Sequence, residues 1–188
     1  MDVTFTKLGG RRYRMAVVRE HGPELAPRQG PGYHDHLPHD AVHFLVEAEA
    51  GLSGGVFGRI AAGWNNLFWP ADPALKRRQA RREAKRSPTA AEHADMARSE
   101  NLASYCLPLW ELRAGLVAEL PHWVAEMEAT QPGLRESPLV ARILARLDDF
   151  AARWHALPDG AGLTLTWLPT PSRPHLRRTT RGSGRRLG

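Results

Sequence analysis

The sequence predicts an α+β fold in which a small antiparallel sheet packs on a layer of helices. Strand-like segments occur near the two ends of the chain, and segments with helical periodicity lie between them. Separate runs of strands and helices favour this class over the regular alternation of a parallel α/β fold. The alternative is a mostly helical protein with an isolated hairpin. We expect a single globular domain over residues 1–171 and a disordered, arginine-rich tail over residues 172–188.

The sheet is expected to begin with a β-hairpin. Residues 3–7 and 12–18 are rich in β-branched and aromatic side chains and alternate in part. Gly9 and Gly10 lie between these segments and suit the positive φ angles of a tight turn. Residues 21–37 follow with three prolines and three glycines, so we expect a loop without regular structure there.

The helical layer is expected to start directly after this loop. Pro38 suits the first turn of a helix and Gly51 suits its C-terminal cap. Small residues then recur at a four-residue spacing that indicates close helix packing, at Gly54, Gly58 and Ala62. Residues 76–86 are basic and polar on nearly every side, which is typical of a solvated helix or a disordered connector.

Two further helical regions complete the layer. A capping box at residues 89–92 opens the first, which is expected to be bent or broken near Pro108 and Pro121. Its apolar residues recur at three- and four-residue steps and include Leu102, Tyr105, Cys106, Leu109, Leu116, Trp123 and Met127. Ser137 caps the last helix. The alternating segment 162–168 should then pair with the hairpin and close a three-stranded sheet.

Composition and charge limit the classes of function. The chain has 26 basic and 20 acidic residues, and residues 160–188 hold six arginines and no acid, so the tail carries the whole net charge of +6. The single cysteine, Cys106, excludes an intrachain disulfide and a zinc ribbon, and its apolar neighbours predict burial. No segment has the pattern of a secretion signal or the length of a membrane span, so we expect a cytoplasmic protein.

The sharpest chemical feature is a cluster of four of the nine histidines within ten residues, at His34, His36, His39 and His43. Histidines four residues apart on a helix project from one face, so His39 and His43 can reach one metal ion. A third ligand would come from the preceding loop, as His36 or His34. Zinc is the favoured metal because the candidates are imidazoles with no thiolate nearby. Three ligands leave a position open for water, so hydrolysis is the reaction class to expect.

Two acids accompany the histidine pair as candidates for acid–base chemistry or for supporting the ligands. Asp40 stands where zinc peptidases carry a glutamate, but its side chain is one methylene shorter, which argues against peptidase chemistry. Glu47 lies roughly 12 Å along the helix from His39, too far for both histidines and this acid to share one ion. The alternative is that these residues only form structural hydrogen bonds.

Residues 37–47, followed by residues 51–52 and 56–63, resemble a family of small bacterial proteins common in actinobacteria. Members carry a similar N-terminal hairpin and a Pro-His-Asp-x-x-His-x-x-x-Glu helix. The match covers about the first third of the chain, and the family implies no established activity.

A fainter similarity is to a ubiquinone-biosynthesis protein family, in which a His-Asp-x-x-His motif and a downstream glutamate bind zinc. His39, Asp40 and His43 match that motif. The place of the downstream glutamate falls on Gly55, or on Arg59 if a short insertion is allowed. The resemblance implies zinc at the two histidines.

The non-enzymatic alternative is a binding module with weak nucleic-acid affinity. Cationic clusters release counterions from nucleic acid, and the candidates here are Arg77, Arg78, Arg81, Arg82, Arg177 and Arg178. No recognised nucleic-acid fold accompanies them, so such binding should be weak and salt-sensitive. The aromatic residues Trp64, Phe68 and Trp69 either form an exposed patch for a partner or cover the core.

Overall fold

The computed structural model describes residues 1–31, 36–64 and 67–168, and the predicted α+β fold is confirmed. In the described chain the elements are β1 (Asp2–Leu8), β2 (Arg12–Val18), β3 (Arg28–Gln29), α1 (His39–Ala50), α2 (Val56–Ala61), α3 (Pro73–Glu83), α4 (Ala90–Arg113), α5 (His122–Thr130), α6 (Pro138–Ala156) and β4 (Gly162–Thr166). The predicted tail, residues 172–188, lies outside the described residues.

The four described strands form an antiparallel sheet in the order β3-β2-β1-β4. The predicted pairing of the hairpin with the last strand is confirmed, with Phe5 opposite Met15 on one side and Leu163 on the other. Alternate residues of these strands are buried, so one face of the sheet packs on the helices. Phe5 meets Phe44 of α1 and Phe150 of α6 edge to face, with ring centroids 6.5 and 6.0 Å apart.

Two details of the sheet differ from the sequence prediction. In the hairpin turn the positive φ angles belong to Gly10 and Arg11 rather than to Gly9 and Gly10. The predicted loop contains β3, a two-residue strand on the sheet edge, where prolines are tolerated. Gly30 follows β3 and lies against the ring of Tyr13, so close that an added Cβ would be 2.0 Å from Cε2. The pairing of β3 with β2 therefore depends on Gly30, which the sequence pattern indicated only as a residue that interrupts regular structure.

The long apolar region folds as two helices with a break between them. Pro108 lies inside α4, which continues to Arg113, and Gly115 then takes a positive φ of 71°. The prediction that Leu116 and Trp123 belong to the core is wrong, since they are 39% and 43% exposed. The chain leaves the helix before Leu116. Beyond that point the three- and four-residue spacing of apolar residues no longer corresponds to one buried helix face. Cys106 is buried as predicted, and burial raises the pKa of its thiol to about 12.

The basic segment forms a helix that buries none of its residues, which confirms the solvated helix over the disordered connector. Asp72 caps α3 by accepting hydrogen bonds from the backbone N–H groups of Ala74 and Leu75. Of the aromatic residues that precede it, Phe68 is buried in the core. The partly exposed ring of Trp64 lies under the guanidinium of Arg82 instead, 4.2 Å from its centroid.

The first helix spans His39–Ala50, and Gly51, with a φ of 66°, is its C-terminal cap as the sequence predicts. The expected close packing after it is present at Gly54, where an added Cβ would lie 2.8 Å from the Cα of Glu92 in α4. Helices α1 and α4 are thus held near each other at this end. Among the described residues no helix is both long enough and apolar enough to cross a membrane.

Candidate functional site

The helical spacing brings His39 and His43 together, and their ring centroids are 4.5 Å apart in an edge-to-face arrangement. His39 is exposed in the first turn of α1, whereas His43 is buried one turn later. His36 precedes the helix, and its carbonyl accepts a hydrogen bond from Nε2 of His155 at 2.9 Å. His34 lies outside the described residues.

Asp40 is tied to the sheet and not to the histidine pair. Its carboxylate accepts a hydrogen bond from the Tyr13 hydroxyl at 2.5 Å, and the Tyr13 oxygen lies 3.3 Å from the Asp40 backbone N–H. Burial, and then the charge of Asp40, raises the pKa of Tyr13 above its usual range. Asp40 therefore anchors the start of α1 on β2, which fits the structural alternative.

Glu47 is fully buried, and its carboxylate lies against the backbone at the start of α2, at Gly55, Val56 and Phe57. We call this position the Glu47 seat. Its Oε1 accepts the backbone N–H of Val56 at 2.9 Å, and its Oε2 accepts that of Phe57 at 2.8 Å. These N–H groups lack helical partners, and the N-cap residue of α2 is Gly55, which has no side chain to cap them. Glu47 thus caps α2 from the neighbouring helix.

Ser99 of α4 links Glu47 to His43 within the core. The Ser99 hydroxyl donates to Glu47 Oε1 at 2.9 Å, and Ser99 Oγ lies 3.0 Å from Nδ1 of His43. A serine has a single O–H, so once it is given to Glu47 the oxygen can only accept from an N–H on Nδ1. While the Glu47 carboxyl is ionised, this arrangement favours the Nδ1–H tautomer of neutral His43, which leaves the lone pair on Nε2. We call Glu47, Ser99 and His43 the buried relay.

The Nε2 end of His43 faces one further polar group. Nε2 lies 3.7 Å from Oε2 of Glu100, a side chain of α4 that is largely exposed. Burial, followed by the charge of His39, lowers the pKa of His43, and the carboxylates of Glu100 and Asp40 oppose that shift. At neutral pH His43 is therefore a neutral imidazole, with Nε2 near the exposed carboxylate of Glu100 and its ring beside the ring of the exposed His39.

Sequence reasoning missed Ser99 and Glu100. Ser99 lies three residues before Leu102, on the same apolar stripe of α4, so a polar residue at a core position was the available signal. Nothing local indicated Glu100, since α4 begins about forty residues after α1 ends and only the packing of the two helices brings it to His43.

Glu47 gives the protein a pH dependence of stability with a definite sign. Burial raises its pKa from 4.5 to about 7, although the N–H groups of Phe57 and Val56 and the Ser99 hydroxyl oppose the shift. The folded state therefore binds more protons than the unfolded state between about pH 4.5 and pH 7. The contribution of this group to stability is fully present below that window and is lost as the pH rises through it.

We therefore expect the free energy of unfolding of the wild type, measured relative to Glu47→Gln, to fall by about 3 kcal/mol between pH 4.5 and pH 8. His43 acts in the opposite direction, because its lowered pKa makes its contribution present above pH 6.5 and lost as the pH falls. His43 is common to both proteins, so its effect largely cancels in the difference. Urea denaturation of both proteins across this range is the measurement, and a flat difference contradicts the assignment.

Metal binding by three residues is not preformed in the described part of the chain, where no group of three or more His, Cys, Asp or Glu side chains is placed to hold an ion. The predicted completion of the pair by His36 is therefore not seen in this arrangement. Comparison with protein-family models, with curated proteins and with solved structures gave no match. The chemistry of the site follows from its geometry.

The predicted nucleic-acid residues are divided between described and undescribed parts of the chain. Arg77, Arg78, Arg81 and Arg82 lie on α3 and are exposed. Arg177 and Arg178 lie outside the described residues. The exposed helix α3 thus carries four of the six candidates.

Proposed function

We propose that His39 and His43 form the core of a divalent-metal site, with zinc as the first candidate and hydrolysis as the reaction class. The observation that carries this proposal is the buried relay, which favours the Nδ1–H tautomer of His43 while Glu47 is ionised. A ligating histidine needs an unprotonated nitrogen toward the metal, and its other N–H is usually held by a carboxylate or another polar group. Ser99, backed by Glu47, supplies such a partner for Nδ1.

The protonation state of His43 supports the same conclusion. Metal binding competes with protons for an imidazole nitrogen, so a ligand whose pKa is lowered binds without first losing a proton. The pKa of His43 is lowered by burial and by His39. His39 is exposed and lies beside it, so the two rings can move onto one ion with small side-chain rotations.

The donor set suits zinc better than magnesium or calcium, because imidazole nitrogen is a borderline ligand and the hard cations prefer oxygen. The sequence places His34 five residues before His39, and it remains the predicted third ligand. A zinc ion held here would supply Lewis-acid activation for hydrolysis. The role of the chain's own residues is to keep the imidazole of His43 neutral and to keep its Nε2 available to the metal.

We expect zinc titrated into protein purified without a histidine tag to bind, and His39→Ala and His43→Ala to abolish this binding. Ser99→Ala should weaken it by roughly 10- to 100-fold, the usual cost of removing a group that orients a ligand. Isothermal titration calorimetry measures zinc binding by the wild type and by each of these three variants. The matched control is His93→Ala, which removes an exposed histidine from α4 and should change nothing.

Circular dichroism of each variant separates loss of the site from loss of the fold. Wild-type protein that takes up no zinc, or zinc binding that survives both His39→Ala and His43→Ala, rejects the metal site. The buried relay would then be a structural hydrogen-bond network only.

A further inference from the structure

A second polar site lies in a pocket of about 380 Å³ lined by three arginines. Arg19 follows β2, whereas Arg78 and Arg82 lie one turn apart on α3. His21 and Gln79 also line the pocket, and the remaining lining residues are glycine, proline and leucine. No acidic side chain is among the described residues that line it, so the pocket concentrates positive charge.

Neutral groups hold two of these arginines, Arg19 and Arg82, in place. Arg19 donates from Nη2 to the carbonyl of Pro23 at 3.4 Å, and Arg82 donates from Nη2 to the carbonyl of Gly63 at 2.6 Å. Arg82 also lies over the face of Trp64. Backbone carbonyls and an aromatic face orient a guanidinium without cancelling its charge. Arg19 and Arg82 are therefore positioned without loss of their charge.

Arg19 keeps donor capacity that the described residues do not use. Its Nε is buried and has no hydrogen-bond acceptor among them. Burial, and then the charge of Arg82, lowers the pKa of Arg19. Two neighbouring like charges are unfavourable, and an anion bound beside them would relieve this repulsion.

Gly22 allows the Arg19 guanidinium to reach this position. Its φ is 108°, and an added Cβ would lie 2.9 Å from Nη2 of Arg19. Any other residue at position 22 would therefore strain the backbone and displace the guanidinium.

We propose that Arg19, Arg78 and Arg82 bind a phosphate group, either as inorganic phosphate or as the phosphomonoester of a small molecule. Guanidinium groups match phosphate oxygens with paired donors, and three of them suit a dianion. A volume of about 380 Å³ has room for a phosphate or a small phosphomonoester. The site shares no residue with the buried relay, so it stands or falls independently of the metal site.

The test is calorimetric titration of inorganic phosphate at constant ionic strength, with chloride as the reference anion. The variant is the double substitution Arg78→Gln/Arg82→Gln, and the control is Arg77→Gln/Arg81→Gln, which removes the same charge from the same helix outside the pocket. We expect the first to weaken phosphate binding at least about tenfold and the second less than about twofold. Since α3 buries no residue, both should fold, which circular dichroism checks.

Titrations with two further ligands identify the source of the phosphate. Glycerol 3-phosphate that binds more tightly than inorganic phosphate indicates an ester, and equal affinity indicates the free ion. A short single-stranded DNA serves as the polyanion. If the wild type does not bind phosphate, or if both double variants lose phosphate or DNA binding equally, the pocket is not a specific site and only surface charge attracts anions.

Discussion

Replacing Glu47 with alanine is expected to lower the free energy of unfolding at pH 7 by about 4 kcal/mol. The substitution removes the acceptors of three hydrogen bonds, from Val56, Phe57 and Ser99, and so takes the carboxylate from the buried N–H of Phe57 and the partly buried N–H of Val56. Each orphaned donor costs about 1–3 kcal/mol, and the vacated volume adds a cavity. Relief from burying the carboxylate offsets part of this cost. Urea denaturation followed by circular dichroism measures the loss.

The matched control is Glu49→Ala, the same change two residues along α1. Glu49 is partly exposed and pairs with Arg142 and Arg146 at 3.3 and 3.5 Å, so we expect a loss below about 1 kcal/mol. Glu47→Gln keeps the shape but turns an N–H₂ group toward one of the two backbone N–H groups, which should give an intermediate loss. Equal effects of Glu47→Ala and Glu49→Ala would show that the Glu47 seat does not hold α2.

The parts of the fold that sequence predicted correctly are those set by local pattern. The hairpin, the last strand and the limits of α1 each follow from alternation or from capping residues within a few positions, and the structure has all three. β3 was missed because its pairing depends on contact with β2 and not on its own composition. Leu116 and Trp123 were misplaced because the chain leaves the helical path at Gly115.

The histidine pair was predictable for the same local reason, since the spacing of His39 and His43 is sufficient to bring the rings together on a helix. The remainder of the site depends on packing between elements distant in sequence. Glu47 was noted as an acid near the pair, but its burial follows from the close approach of Gly55. Ser99 reaches His43 only because α4 packs on α1, since the two residues are 56 positions apart in sequence.

The Glu47 seat can be tested from its other side with Gly55→Ala, which we expect to cost about 3 kcal/mol or more. An added Cβ at Gly55 would lie 2.4 Å from Cδ of Glu47 and 2.6 Å from each carboxylate oxygen. The φ and ψ of Gly55 are −69° and −175°, which alanine adopts freely. The cost is therefore steric, because the carboxylate must leave its seat or α2 must move away. Gly9→Ala is the control, since its Cβ would meet only the end of the Asp159 side chain, at 3.3 Å.

A double-mutant cycle makes this prediction specific. In Glu47→Ala the space beside Gly55 is empty, so the methyl group of Gly55→Ala has room in the double variant. We expect the double variant to be about as stable as Glu47→Ala alone, with a coupling of about 2 kcal/mol or more between the two positions. Additive losses would mean that the methyl group clashes with something other than the Glu47 carboxylate. Coupling of the expected size would establish that α2 is fitted to this acid, and that the carboxylate behind Ser99 and His43 is held in one position.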